Sequence, residues 1–321
     1  CRAGADRRRS RYPGMSSVPV KLPDSVLVLE RGWLSSNNIV FFDGDSAALV
    51  DSGYVSHAAQ TLALLERALD GRCLTRLINT HSHSDHIGGN AAVQAAHHCH
   101  ITVPQGIAAT IAEWDEDALL LSPLGQRAAR FTHDATYAAD DSFVLGDLAW
   151  QALAVPGHDM DALALYNPEQ RLLISGDALW QDGFGVVFAE LLGNPDGLRV
   201  TRATLEMLAR LPIDVVIPGH GAPFADVPEA FERAFRRLAA FEQNIERLAR
   251  HALKVMLAFF MLEKRQIRRD SLAGFLSGLS FVSSVNARYL GYDDEALADW
   301  LATDLVRAGV LREDDGQLIA R

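Results

Sequence analysis

One short segment constrains this chain more than any other. Residues 81–89 contain three histidines and one aspartate and directly follow an apolar stretch that predicts a strand. Imidazole and carboxylate are the ligands that borderline divalent metals such as zinc prefer. A strand that runs into a short loop can direct His81 and His83 at one point, and Asp85 and His86 at a second. The motif therefore predicts a metal site that can hold two ions.

Four further positions place a metal-binding type of side chain beside a glycine at the end of a predicted strand. They are Asp51, His158, Asp177 and His220. Near such glycines the backbone turns sharply, and the side chains project from a rigid strand end. These four residues are the remaining candidates for the site.

Together these segments resemble the five-motif signature of the metallo-β-lactamase superfamily, and all five motifs occur in order between about residues 20 and 225. The resemblance implies an α/β fold, the αββα sandwich, in which two mixed sheets pack face to face with helices outside. It also implies ligands for two divalent metal ions, zinc first with manganese or iron as alternatives: His81, His83 and His158 for one ion, Asp85, His86 and His220 for the other, and Asp177 between them. Asp51 is implied as an outer carboxylate that orients ligand histidines.

A two-metal centre predicts hydrolysis, because two cations lower the pKa of a shared water until it becomes a bridging hydroxide. Three carboxylates are expected to serve catalysis: Asp177 by joining the metals, Asp85 by orienting the nucleophile, and Asp51 by orienting histidines. The group that delivers a proton to the leaving group is left open among Asp159, Asp161 and Tyr166.

Differences from particular family members narrow the range of expected substrates. The zinc β-lactamases replace the last histidine of the first motif or lack the bridging aspartate, whereas this chain has both His86 and Asp177. The basic C-terminal motif of glyoxalase II has no counterpart here. The expected function is therefore hydrolysis of an ester, thioester or lactone of a small molecule with an apolar acyl group. Four alternatives stay open: a hydroxyacylglutathione hydrolase, an iron-dependent persulfide dioxygenase, a nucleic-acid phosphodiesterase, and a binding or regulatory protein with a vestigial site.

The acyl pocket is expected beside the bridging residue. The segment Ala178 to Phe188 is rich in aromatic residues and glycine and is predicted to form one wall. Trp114 and the run Leu119 to Leu121 are predicted to form the opposite wall.

Apolar runs alternate with helical patterns through the first two thirds of the chain. Helices are expected at Gln105 to Leu121, Glu229 to Arg250 and Ala252 to Lys264, among others. The strands are predicted at Val26 to Glu30, Ile39 to Phe42, Ala47 to Val50, Leu74 to Asn79, Ile101 to Val103, Ala149 to Val155, Ala162 to Tyr166, Leu172 to Ser175 and Val215 to Pro218.

Three regions are predicted along the chain. Residues 1–15 are interpreted as a disordered leader or a misassigned start, with Met15 as the natural start and a processed lipoprotein beginning at Cys1 as the alternative. Residues 16–228 form the sandwich. Residues 229–321 form a mostly helical module that resembles a winged helix, because helices precede a hairpin around residues 314–316.

Composition restricts the partners. The net charge is −11, and acidic residues dominate the winged-helix-like region, so no nucleic-acid partner is expected. The longest apolar run, Val255 to Leu262, is too short to cross a bilayer, which needs about 20 residues, so no membrane partner is expected. The chain has three cysteines and no Cys-x-x-Cys motif, which predicts a reduced, cytoplasmic protein. The oligomeric state is left open.

Overall fold

Two β-sheets pack face to face, with helices on the outer face of each sheet. This is the αββα sandwich, so the predicted fold class is confirmed. The structure is a computed structural model, and it describes residues 20–321. The predictions for residues 1–15 lie outside the described residues.

The first sheet has six strands that lie side by side in chain order. Its first three strands pair antiparallel, and the remaining neighbours pair parallel. The bounds are Val26–Leu29 (β1), Asn38–Asp43 (β2), Ser46–Val50 (β3), Cys73–Ile78 (β4), His100–Pro104 (β5) and Ala135–Tyr137 (β6).

The second sheet has five strands. They also lie side by side in chain order. Neighbouring strands are antiparallel, except the last two strands in the chain, which are parallel. The bounds are Ser142–Leu145 (β7), Leu148–Ala154 (β8), Leu163–Asn167 (β9), Leu172–Gly176 (β10) and Val215–Pro218 (β11). The sequence predicted all the strands of both sheets except β6 and β7.

In the part of the chain that the structure describes, seven α-helices accompany the sandwich and five belong to the C-terminal region. Within residues 20–321, none of them combines the length and apolar character that a membrane span requires. The bounds are Ala58–Leu69 (α1), Ser84–Ile87 (α2), Asn90–His97 (α3), Ala108–Glu113 (α4), Leu121–Leu124 (α5), Phe188–Leu191 (α6), Gly197–Leu208 (α7), Val227–Gln243 (α8), Ile245–Lys264 (α9), Leu272–Ser277 (α10), Ser280–Val285 (α11) and Asp294–Arg307 (α12).

Strand alternation explains how the layers pack. Successive side chains of a strand point to opposite faces of the sheet. In β2, Ile39 and Phe41 enter the layer between the two sheets, whereas Val40 packs under the helices on the outer face. Phe41 meets Trp150 of the second sheet edge to face, with ring centroids 5.5 Å apart. Burial on both faces makes these strands almost continuously apolar, and that is why the sequence signal is clear.

The C-terminal region places a small antiparallel sheet beside α9 to α12. Its strands are Gln266–Arg268 (β12), Leu311–Asp314 (β13) and Gln317–Ala320 (β14), in the order β12, β14, β13. The hairpin was predicted, but β12 was not. One hydrophobic cluster runs from the outer face of the second sheet through α8 and α9 to α12. The boundary near residue 229 therefore does not separate two cores, and the division into domains stays a prediction.

Two helix predictions were wrong. The expected helix Gln105 to Leu121 stops at Glu113, because Asp115 Oδ1 accepts hydrogen bonds from the backbone of residues 117 and 118, both at 3.0 Å, and holds a turn there. The expected break near residue 251 lies instead at Asn244. The Asn244 backbone is extended, and its side chain accepts a hydrogen bond from the Glu246 amide at 2.9 Å, which starts α9 as an N-cap.

Candidate metal centre

All the side chains that the sequence suggested as metal ligands lie at one edge of the sandwich. They follow the carboxyl ends of β4, β8, β10 and β11, where the strands run into short loops. Within each of two groups, one possible ligand atom per residue lies within 4.8 Å of the others: His81, His83 and His158 in the first group, and Asp85, His86, Asp177 and His220 in the second.

Asp177 stands between the two groups. Its Oδ2 lies 3.4 Å from Nε2 of His158 in the first group and 3.8 Å from Nε2 of His220 in the second. Its Oδ1 lies 3.4 Å from Nε2 of His86. One carboxylate thus faces both groups, which is the geometry that a bridging ligand requires.

Two buried ring nitrogens indicate that the residues fit a metal centre. The Nε2 atoms of His81 and His86 are buried, and neither has a hydrogen-bond partner among residues 20–321. A buried polar atom without a partner is unfavourable, and a divalent cation would satisfy it. In the first group, His83 Nδ1 lies 2.6 Å from His158 Nε2, so these two nitrogens already point at one place. The set of imidazoles and carboxylates suits zinc, manganese or iron.

Asp51 lies behind the candidate ligands and contacts one of them, His86. Its Oδ2 is 2.7 Å from Nδ1 of His86, and it accepts hydrogen bonds from the amide and the hydroxyl of Thr80 at 2.9 and 2.8 Å. The Asp51 backbone has a φ of 56°, in the left-handed region that is uncommon outside glycine. A hydrogen bond from Asn38 Nδ2 to the Asp51 carbonyl helps to hold it there. This arrangement is what the predicted orienting role needs.

Close approaches of glycine backbone surround the ligands. A Cβ on Gly219 would lie 2.2 Å from Asp177 Oδ1, and a Cβ on Gly185 would lie 2.4 Å from His158 Nδ1. That His158 nitrogen donates to the carbonyl of Val186 at 2.7 Å, which leaves Nε2 for the centre. Only glycine fits at these two positions without moving a ligand.

Burial and mutual charge shift the titration of the site. Burial, and then the neighbouring His158, lower the pKa of His83 to about 4. Burial, followed by His86 and His83, also lowers the pKa of His81 well below its ordinary value. Burial alone would raise the pKa of Asp177, but His86 and His220 hold it well below its usual range. The His81 and His83 imidazoles are therefore neutral and the Asp177 carboxylate is ionised near neutral pH. Against the effect of burial, Asp177 and Asp51 raise the pKa of His86 well above its ordinary value, so a metal ion at this ring would displace a proton.

A pocket of about 670 Å³ opens beside the two groups. From the segment predicted as one wall, Trp180, Val186 and Phe188 line it. The prediction for the opposite wall was wrong: Trp114 packs against Phe131, and Leu119 and Leu121 are buried in the core under the first sheet. The opposite wall comes mainly from α9, whose lining residues include Val255, Met256, Phe259 and Leu262.

Contacts with the first sheet's side of the sandwich hold α9 over the pocket. Tyr54 is buried, and its hydroxyl donates to Glu263 Oε2 at 3.2 Å. Arg127 forms an ion pair with the same carboxylate, and Phe259 meets the Tyr54 ring edge to face at 5.3 Å. Burial and Glu263 raise the pKa of Tyr54 to about 12, so it remains a neutral donor.

The three candidate proton donors do not line the pocket. Asp159 Oδ2 accepts from the Ser82 hydroxyl at 2.9 Å, and the Asp161 side chain lies against Gly106. The Tyr166 hydroxyl donates to the Pro212 carbonyl at 3.0 Å. These contacts give each of them a structural role.

Sequence reasoning missed several residues that line the pocket, and three of them carry aromatic or basic side chains: Trp33, Arg237 and His251. Trp33 is 58% exposed, and its ring stacks on His220 with centroids 5.4 Å apart. None of the three belongs to a motif, because each reaches the pocket through tertiary packing. No local signal in the sequence distinguishes them.

Comparison with known sequences assigns the central part of the chain to one family. A sequence model of the family described as Metallo-beta-lactamase superfamily matches residues 31–220. A hydroxyacylglutathione hydrolase of Ectopseudomonas mendocina (strain ymp) is 34% identical over 165 residues, which is 51% of this chain and 52% of that protein. A protein of the same name from Rhodopseudomonas palustris (strain HaA2) is 30% identical over 131 residues, or 41% of this chain and 43% of that protein. The chain thus spans about half the length of these relatives.

Solved structures share the fold at low sequence identity. A metallo-beta-lactamase family protein from Thermus thermophilus superposes with a TM-score of 0.54 at 18% identity, over 92% of this chain and 99% of that one. The FEZ-1 metallo-beta-lactamase from Legionella gormanii gives a TM-score of 0.56 at 14% identity, over 74% and 99% of the two chains. At these identities the likeness concerns the fold alone.

Proposed function

This chain belongs to the metallo-beta-lactamase superfamily, and we propose that it hydrolyses small-molecule esters, thioesters or lactones that carry an apolar acyl group. The observation that carries the proposal is that two groups of metal-binding side chains open into a largely apolar pocket of about 670 Å³. A pocket of this size suits a small molecule. Two divalent ions, zinc first, would supply Lewis acidity and a water of lowered pKa, which is the chemistry that hydrolysis requires.

In this proposal the side chains of the site have distinct roles. His81, His83 and His158 would hold one ion, Asp85, His86 and His220 would hold the other, and Asp177 would contribute to both groups. Asp85 lines the pocket with its Oδ2 3.0 Å from His220 Nε2, so its carboxylate could orient a water molecule beside the substrate. Asp51 keeps His86 in the tautomer and ring direction that binding needs.

The apolar walls bind the acyl group and exclude water from the reacting carbonyl. Val186 and Phe188 line one side, and Val255, Phe259 and Leu262 of α9 line the other. Removing water strengthens the electrostatic interactions inside such a site. The region from residue 229 onward would therefore act as a substrate cap, which is the role we propose for it.

Hydroxyacylglutathione hydrolysis is a second candidate of the same reaction class. It is favoured by the relatives that carry this name at 30% and 34% identity, although the matches cover about half of each relative. Hydrolysis rates for a hydroxyacylglutathione and for a thioester of the same acyl group with a simple thiol separate the two cases. A clear preference for the glutathione thioester would favour the second candidate.

The charges of the winged-helix-like region argue against a nucleic-acid phosphodiesterase. Arg268 pairs with Asp270 at 2.6 Å, and Arg269 pairs with Asp299 and with Glu313. These internal ion pairs neutralise two arginines of the region, and three acidic residues stand at the N-terminal end of α12, the N-cap Asp293 and the first two helical residues. A mobility-shift assay at low salt, where phosphate binding is strongest, should show no complex.

The function is tested with protein loaded with zinc, manganese or iron and assayed on a panel of thioesters, esters, lactones, β-lactams and phosphodiesters. We expect turnover of acyl substrates and little turnover of β-lactams or phosphodiesters. Oxygen consumption by the iron form with a persulfide would instead support the dioxygenase alternative. A protein that binds metal but turns over no member of the panel would contradict the proposal.

A further inference from the structure

An arginine that forms no hydrogen bond or ion pair with the described residues lines the pocket beside the metal-binding residues. Arg237 projects from α8 against the loop that follows Asp177, so closely that a Cβ on Gly183 would lie 2.5 Å from Arg237 Nη1. Among the hydrogen bonds and ion pairs of residues 20–321, none engages its guanidinium. Its neighbour Arg233 differs, because it donates to the Gln181 carbonyl and to Asp226, both at 2.7 Å.

A histidine stands beside this arginine. His251 of α9 lines the same pocket, and its ring packs against Phe241 with centroids 5.6 Å apart. Burial, and then the charges of Arg237 and Lys254, lower the pKa of His251 to about 4. The ring is therefore neutral at neutral pH and has one N–H to donate. No hydrogen bond among the described residues uses that ring.

One side-chain carboxylate of the pocket, that of Asp182, opposes the charge of Arg237 without forming an ion pair with it. The other two lining carboxylates, Asp85 and Asp177, belong to the metal-binding groups. The Asp182 side chain is 86% exposed and lies 3.4 Å from Arg233. Lys254 is paired with Asp304 at 3.0 Å.

A partly buried guanidinium is unfavourable unless an anion accompanies it, and burial lowers the pKa of Arg237 for that reason. Arginine recognises carboxylates through two parallel hydrogen bonds, which makes it a selective anion ligand. Because Asp182 is exposed and lies within ion-pair distance of Arg233, the Arg237 guanidinium keeps its hydrogen-bond donors for an anion on the ligand.

We propose that Arg237, with His251 beside it, forms an anion-binding subsite for a carboxylate remote from the scissile bond. The substrate would place its reacting carbonyl at the metal-binding groups, an apolar stretch along Val255 and Phe259, and its carboxylate at Arg237. The inference rests on the proposed function, because it names the class of acyl substrate or leaving group. The carboxylate belongs either to the acyl chain or to the leaving group, and the two can be separated by experiment.

Binding tests the subsite without requiring turnover. The probes are linear dicarboxylates of increasing length and their monomethyl esters, titrated by calorimetry into the metal-loaded protein. Each probe offers one carboxylate to the metals, so the second carboxylate of the diacid reports on Arg237. A charge-assisted hydrogen bond contributes about 1.5 to 3 kcal/mol, so the best diacid should bind at least about 10-fold more tightly than its half-ester.

The matched variants are Arg237→Gln, Arg237→Lys and Arg236→Gln, the last on the exposed side of the same helix. The preference for the diacid should vanish in Arg237→Gln, return in part in Arg237→Lys, and persist in Arg236→Gln. Equal binding of diacid and half-ester by the wild type at every length would overturn the subsite. An equal loss for both probes in Arg237→Gln would also overturn it, by showing a structural role.

Kinetics then identify the source of the carboxylate. One pair of thioesters carries a carboxylate or its methyl ester at the end of the acyl chain, and a second pair carries a carboxylate or its amide on the thiol. Arg237→Gln should raise KM about 10-fold or more for the charged member of one pair, with kcat little changed. If no thioester, ester or lactone is hydrolysed while the diacid preference holds, the proposed function fails and the subsite stands. If the thioesters are hydrolysed and Arg237→Gln changes KM equally for the charged and uncharged members of both pairs, the subsite is overturned and the proposed function stands.

Discussion

Asp51 and His86 form a buried pair in which Asp51 Oδ2 lies 2.7 Å from His86 Nδ1, while His86 Nε2 has no hydrogen-bond partner among the described residues. The carboxylate therefore takes one side of the imidazole and leaves the other side facing Asp177. Asp51 is held for this contact in a left-handed backbone conformation with a φ of 56°. The local backbone is adapted to the orientation of one ring.

This pair predicts graded losses on mutation. Asp51→Ala should weaken metal affinity and hydrolysis by about 10- to 100-fold, because the ring loses its orientation but keeps its ligand atom. His81→Ala and His83→Ala should abolish hydrolysis. Competition with a chelator measures the affinities. Complete loss of metal from Asp51→Ala, equal to that of the histidine variants, would show that Asp51 binds the metal directly.

Gly185 should be intolerant of a side chain. In Gly185→Ala the new Cβ would overlap the His158 ring, so the ring must move and metal affinity should fall by about 10-fold or more. Gly274→Ala is the matched control, because a Cβ there meets nothing within 4 Å and the residue lies in α10. Metal content after dialysis reports the effect. Unchanged metal content in Gly185→Ala would place the His158 ring elsewhere.

Trp180 should support the bridging carboxylate. Its Nε1 donates to Asp177 Oδ1 at 3.1 Å, and Trp180→Phe removes this bond while it keeps an aromatic ring beside His220. We expect metal affinity to fall by about 10-fold, as for other groups that orient ligands. Trp33→Phe removes no such bond and should bind metal normally. Equal affinities for the two variants would contradict the role of Trp180.

The depressed pKa of His251 predicts a pH dependence of stability. The folded protein keeps this ring neutral down to about pH 4, whereas the unfolded chain takes up the proton near the ordinary value of 6.5. His251 therefore lowers the free energy of unfolding as the pH falls from 6.5 to 4, by on the order of 3 kcal/mol, and has no such effect above that range.

Urea unfolding of the wild type and His251→Gln at pH 7.5, 5.5 and 4.5 checks this. The stability of the variant relative to the wild type should rise as the pH falls. Parallel pH profiles for the two proteins would mean that His251 titrates normally.

The sequence predicted the sandwich and the ligand set because both depend on local patterns. Strands such as β2 and β10 are buried on both faces, so their apolar runs are clear, and Asp177 directly follows β10. Shorter strands with exposed positions, such as β6 and β7, lack that signal. The turn at Asp115 and the cap at Asn244 each depend on the hydrogen bonds of one side chain, which periodicity does not report.

The pocket was less predictable, because it depends on packing between distant segments. Arg237 and His251 reach it through the placement of α8 and α9, and Trp33 reaches it by stacking on a residue far along the chain. The prediction that Trp114 forms a wall of the pocket was wrong for the same reason. Helical periodicity does not report which neighbour a side chain such as Trp114 packs against.

The metal content of the loaded and desalted protein tests the central claim most directly. Elemental analysis should find close to two equivalents of zinc, manganese or iron per chain in the wild type, because two groups of ligands share Asp177. Asp177→Ala should hold fewer equivalents and lose hydrolysis. One equivalent or none in the wild type, or two equivalents held with unchanged affinity and rate by Asp177→Ala, would contradict the two-metal account.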